Sequence, residues 1–193
     1  MKRTMIQIFI TVSVLVLMLP IAAFALYKPS RVLIPSAFGM HCGPSGICVD
    51  DAGRLAEAEA LYHEASRYIA DTYDLDITDA TVIFCSTERC RDTFGCGQKA
   101  GYALGSYGVV IAPRGWAPHY VAHELIHHWQ TSTFGDHILL TGDTWVVEGM
   151  AYLLSGDPRE KLDEPFDSYR DEFRKWYAVR KGETLERSLR KVL

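Results

Sequence analysis

The stretch Val121-Ala122-His123-Glu124-Leu125-Ile126-His127-His128-Trp129-Gln130 organises everything around it. Val121, Ala122, Leu125, Ile126 and Trp129 recur at helical spacing, so the segment predicts a helix packed on a core, with Pro118 in its first turn and its end near Phe134. Residues four apart on a helix lie one above the other, which lets His123 and His127 reach a single ion. Glu124 points about 100° further round the axis, beside that ion without ligating it. Two neutral imidazoles that fix zinc, with an adjacent carboxylate to take a proton from water, are what metal-assisted hydrolysis requires. A buried helix bearing two histidines and an acid is costly unless something pairs them, and a metal would.

A catalytic zinc takes three protein ligands and keeps a fourth position open. Downstream, Trp145-Val146-Val147-Glu148-Gly149-Met150-Ala151 places a carboxylate, Glu148, inside an apolar helical turn, where it reads as a buried acid. That helix has Asp143 as its N-cap, runs to Leu154 and is stopped by Gly156 and Pro158. Gly149 and Ala151 are small enough to admit a neighbouring helix.

The flanks supply the remaining layers. Leu55, Ala58, Leu61, Tyr62, Ala65, Tyr68 and Ile69 mark an amphipathic helix from Asp51 to about Tyr73. Thr81 to Phe84 suits a buried strand, and Thr87 to Phe94 a short helix closed by Gly95. Tyr102 to Leu104 and Tyr107 to Ala112, separated by Gly105-Ser106, predict a hairpin or bent strand. Phe166 to Val179 and Leu185 to Val192 read as helices outside the site, with Tyr169, Phe173, Trp176 and Tyr177 packing on the core. This order predicts an α+β fold. Its small, mostly antiparallel sheet packs on the His123–His127 helix and on a second, ligand-bearing helix, with further helices at the C-terminus.

Composition sets the outer bounds. At roughly 150 residues per domain, 193 residues hold one domain and a short appendage, here residues 28–193 and 1–27. The chain is 48% hydrophobic and 23% charged, as a globular protein should be, and its net charge of −4 provides no basic footprint for nucleic acid. Met5 to Leu26 contains no charged residue and follows Lys2-Arg3. It is long enough to cross a hydrocarbon core as a signal anchor, while Ala23-Phe24-Ala25 also fits the cleavage site of a signal peptide. Either reading exports the rest to a periplasmic or extracellular side, anchored in the membrane or secreted.

Cysteine usage agrees with export. Cys42 and Cys48 enclose a Gly-Pro-Ser-Gly turn and Cys85 lies five before Cys90, which predicts two local disulfides and leaves Cys96 as a thiol. Lys28 to Asp51, rich in Gly, Pro and Ser, predicts an irregular segment laid over the domain and stapled by the first pair.

His123-Glu124-x-x-His127 followed, after 20 residues, by Glu148 in Trp145-x-x-Glu148-Gly149-x-Ala151 resembles the gluzincin, thermolysin-like zinc metallopeptidases over about residues 100–155. The resemblance implies one zinc per chain, held by His123, His127 and Glu148, with Glu124 as general base. It also implies a peptide or protein substrate that pairs with an edge strand, here Tyr107 to Ala112, beside the active-site helix. Where such enzymes carry an acid four residues after the ligand glutamate, this chain has Tyr152. No motif identifies the group that stabilises the oxyanion, for which Tyr152, His137, Tyr102 and Tyr107 are candidates. His128 reads as a partly exposed, hydrogen-bonded histidine, and His119 as a helix-start residue. The competing readings are a non-catalytic, zinc-containing binding or assembly module, and an amidase acting on an envelope polymer.

Overall fold

Alternation along three short strands sets the layers of the molecule. β2 (Ile47–Val49), β3 (Val82–Phe84) and β5 (Val109–Ile111) are buried throughout, and successive side chains go to opposite faces. Ile47, Val49, Val82, Phe84, Val109 and Ile111 enter the larger core, whereas Cys48, Ile83 and Val110 enter a smaller one on the other face. This is a computed structural model that describes residues 26–77, 80–180 and 182–193, together with residues 7, 9, 11–14, 16 and 18 as helical positions. Among the described residues no helix is long and apolar enough to cross a membrane. The segment read as a signal anchor or signal peptide lies largely outside them.

The α+β expectation holds: with β1 (His41–Cys42) and β4 (Gly101–Ala103) the sheet has five strands, in the order β1-β2-β3-β5-β4. Its pairing is mixed where mostly antiparallel strands were expected. β1 and β4 run antiparallel to β2 and β5, but β2, β3 and β5 are mutually parallel. The reason is the connections. Helix α1 (Leu55–Tyr73) carries the chain from β2 to β3 and α2 (Glu88–Phe94) lies between β3 and the final hairpin, and such crossovers return the chain in the same direction. The expected hairpin is present as β4 and β5. Its second strand, however, is flanked by β3, so the free edge belongs to Gly101–Ala103 and not to Tyr107–Ala112.

On the larger core's side the sheet is covered by α1, α3 (Pro118–Phe134) and α5 (Thr144–Leu154), with α6 (Phe166–Val179) packed on α5 and α7 (Leu185–Leu189) completing the layer. The short α4 (Ile138–Thr141) links α3 to α5. Small size at Gly149 is what lets α6 approach: a Cβ there would stand 2.3 Å from the Tyr169 carbonyl oxygen and 2.9 Å from the Phe173 Cβ. Of the α6 aromatics, Phe173, Trp176 and Tyr177 pack on the larger core as expected, Phe173 and Trp176 both against Trp145, whereas Tyr169 stays outside it with its ring against Phe166.

The opposite face is loop-rich. Two 3-10 helices, Lys28–Leu33 and Pro35–Phe38, lie there with α2 around Val32, Met40, Phe94 and the buried free thiol of Cys96. Both expected disulfides are present, Cys42–Cys48 and Cys85–Cys90. The irregular reading of Lys28 to Asp51 missed β1 and β2, because strands of two and three residues bounded by Gly and Pro carry no periodic signal.

Candidate metal centre

α3 starts with Pro118, whose missing N–H is no loss in a first turn, and it buries Val121, Ala122, Leu125 and Ile126 in the larger core. That packing fixes the roll of the helix and turns His123 and His127 towards a cavity of about 450 Å³. Their Nε2 atoms stand 3.1 Å apart. From α5, Glu148 brings Oε2 to 3.6 Å from His123 Nε2 and Oε1 to 3.7 Å from His127 Nε2.

The three side chains could hold a metal ion, since one ligand atom from each lies within 4.8 Å of the others. Two ligands bonded at about 2.0–2.1 Å to a tetrahedral ion stand about 3.3 Å apart, close to the spacing of the two imidazole nitrogens. Glu148 is partly exposed rather than fully buried, with 29% of its side chain accessible, because it faces the cavity.

The charges favour a cation. Burial would raise the Glu148 carboxyl, but His123 and His127 outweigh it and hold that group far below the usual carboxylate range. Burial opposes a charged ring at His127, yet Glu148 and Glu124 overcome it and raise its affinity for a proton. Glu124 is buried beside the pair, and loss of solvation pushes its carboxyl above the ordinary glutamate value. It makes no hydrogen bond among the described residues and lines the same cavity.

Gly101 of β4 packs directly on Glu124. A Cβ at Gly101 would meet Glu124 Cγ at 2.8 Å and the Val110 carbonyl oxygen at 2.9 Å, so the edge strand approaches the acid as closely as backbone allows. Bonds from Ala112 N–H to the Ala100 carbonyl and from Leu104 N–H to the Gly108 carbonyl set the phase of the β4–β5 ladder. In an antiparallel ladder of that phase the N–H and C=O groups of Gly101 and Ala103 point off the sheet, on the edge that borders the cavity.

The four oxyanion candidates separate. Tyr152, one turn after Glu148, lines the cavity with its ring 4.5 Å from that of His123, and its hydroxyl makes no hydrogen bond among the described residues. Burial, reinforced by Glu148, raises its phenol, which keeps it a donor. Tyr102 borders the cavity, but its side chain packs on the other face of the sheet and its hydroxyl donates to the Phe94 carbonyl at 2.7 Å. Tyr107 and His137 are exposed and lie outside the cavity lining.

His128 is buried rather than partly exposed, with Nδ1 3.2 Å from the Gly105 carbonyl oxygen. His119 sits in the first turn of α3, as expected, and also borders the cavity, where burial lowers its basicity.

Several cavity residues had no signal that spacing alone could show. Asp157 and Arg159 form a bidentate pair on the loop after α5, with the guanidinium near the rings of Tyr120 and Tyr152. Phe166, at the start of α6, closes on Tyr152 with ring centroids 5.3 Å apart. Gln130 was legible in principle, three residues after His127 and so on the same helix face. Its Oε1 lies 2.9 Å from His127 Nδ1 and its Nε2 donates to the Val147 carbonyl at 3.0 Å. Compared with models of protein families, with curated proteins and with solved structures, the chain gives no match, so the site is read from its own geometry.

Proposed function

We propose that the chain is a zinc-dependent metallopeptidase of the gluzincin type, exported or anchored through residues 1–27 so that residues 28–193 work on the periplasmic or extracellular side. One observation carries the reading: His123, His127 and Glu148 converge from two helices on one point of a cavity, with Glu124 buried beside them. Zinc suits two imidazoles and a carboxylate, and the cavity leaves room for a fourth ligand. The chemistry it supplies when bound is Lewis acidity towards a peptide carbonyl and a lowered pKa for water.

The protein's own groups do the rest. Glu124, raised by burial and free of hydrogen bonds to the described residues, takes the proton from the attacking water and returns it to the leaving amine. The Tyr152 hydroxyl donates to the developing oxyanion. Main-chain groups of Gly101 and Ala103 pair with an extended peptide, so the strand addition expected at Tyr107–Ala112 moves to β4. A closed structural metal site has no use for a buried, unpaired carboxylate, which costs free energy and returns none.

The test is Glu124→Gln in the full-length protein. It is expected to keep one zinc per chain by elemental analysis and to lose about 10³-fold of the chelator-sensitive cleavage of a mixed peptide library. Cleavage at the unmutated rate would remove Glu124 from the mechanism.

A further inference from the structure

Gln130 is almost completely buried, at 1% exposure, between the two helices that carry the ligands. Its carboxamide makes two contacts, and each constrains the other. The Val147 carbonyl can only accept a hydrogen bond, so the amide group 3.0 Å from it must be the NH2. The amide oxygen therefore faces His127 Nδ1, 2.9 Å away, and an oxygen can only accept. In the neutral ring, Nδ1 must then carry the proton. Nε2, on the side facing His123 and Glu148, is left with its lone pair.

We infer that Gln130 is a positioning residue that holds His127 as the Nδ1–H tautomer, its own amide oriented by the backbone of the helix that presents Glu148. The inference rests on the zinc reading above and deepens it. Val147 directly precedes Glu148, so the chain His127 Nδ1–H to Gln130 to Val147 carbonyl joins the second ligand to the backbone beside the third. A histidine ligand whose other nitrogen donates to a fixed acceptor is oriented and made more basic, and loss of such a partner costs about 10–100-fold in metal affinity.

Two variants separate this role from mere packing. Gln130→Met fills similar volume but offers His127 no good acceptor, while Gln130→Glu offers two acceptor oxygens and loses the donor to Val147. In detergent-solubilised full-length protein, Zn2+ affinity measured against a chelator is expected to fall about 10–100-fold in Gln130→Met and to return within a few-fold of the parent in Gln130→Glu. If Gln130 only fills space, the order reverses, because methionine suits a buried slot better than a charge does, and that order overturns the inference. The second readout needs no metal. Nitrogen-15 NMR of the zinc-free parent at alkaline pH is expected to show His127 protonated at Nδ1, and a ring protonated at Nε2 overturns the inference even if neither variant folds. A parent protein that binds no zinc yet shows the Nδ1–H ring would sink the peptidase proposal and leave the Gln130 bridge standing.

Discussion

The two faces of the sheet are held by different means. Beneath α1, α3, α5 and α6, a large continuous core of Ile, Val, Leu, Phe and Met side chains takes the place of covalent links, and both disulfides lie elsewhere. On the opposite face one short helix and two 3-10 helices cover a much smaller cluster, and here the chain is stapled at Cys42–Cys48 and Cys85–Cys90. Asp50 adds a polar clasp by accepting from Ser86 N–H at 2.6 Å and from the Thr87 hydroxyl at 2.6 Å. A loop-rich layer buries too little apolar surface to offset its conformational entropy, so cross-links and caps make up the difference. The candidate metal centre stands on the uncrosslinked face, where close packing leaves side chains little freedom to shift.

The comparison breaks most visibly at Gly149. Gly149→Ala drives a methyl into the Tyr169 backbone, so α6 must move off α5, and Phe166 with it from the cavity wall. A loss of about 3 kcal/mol is expected from urea unfolding, and the zinc binding proposed for the site should weaken with it. An unchanged midpoint would mean that the helix pair is not close-packed.

A smaller effect is expected on the other face. Replacing Cys42 and Cys48 together by Ala opens a loop with a sequence separation of 6, worth about 2 kcal/mol on chain-entropy grounds. The proposed zinc affinity should be unaltered, because the Cys48 side chain enters the smaller core and Cys42 is exposed, away from the cavity lining. A parallel loss of zinc binding would show that the two faces are coupled.

Asp50 gives the smallest change and a pH signature. Burial would raise its carboxyl, but the bonds from Thr87 and Ser86 outweigh it and hold the group below its ordinary value. A carboxyl depressed by folding stabilises the protein above its unfolded pKa, near 4, and that contribution disappears as pH falls through the lower folded value. Asp50→Asn should cost about 1 kcal/mol at neutral pH and almost nothing in strong acid. A constant difference between parent and variant across that range would show that Asp50 acts through shape rather than charge.

Long helices and capped termini were readable from local chemistry. Periodicity marked α1 to about Tyr73, though its expected start at Asp51 is the cap of a 3-10 turn, Ala52–Arg54, and the α-helix begins at Leu55; Thr87 and Gly95 bracketed α2, and Pro118 opened α3. The Thr87 hydroxyl indeed accepts from Cys90 N–H, and Gly95 takes the left-handed conformation that closes a helix. Asp143 is the N-cap of α5 as expected, though its side chain makes no capping bond. The sheet was less legible. Ile47–Val49 is buried on both faces and so shows no alternation, and whether β2 runs parallel to β3 depends on residues more than thirty positions apart. The true edge strand was hidden likewise, because it depends on the long-range pairing of Val82 with Val109.

For the site, His123, Glu124 and His127 follow from helix geometry, because positions on one helix are related by its own turn and need no partner. Glu148 was visible as an acid in an apolar turn, yet its arrival 3.6 Å from His123 depends on how α5 packs across α3. The cavity wall at Asp157 and Arg159, the committed hydroxyl of Tyr102 and the Gln130–Val147 bridge likewise come from long-range contacts. Spacing along one chain segment could name the metal-binding pair and the acid beside it. Distances between segments, which turn those residues into a group that could hold a metal ion, exist only once the core has packed and set each helix at its angle.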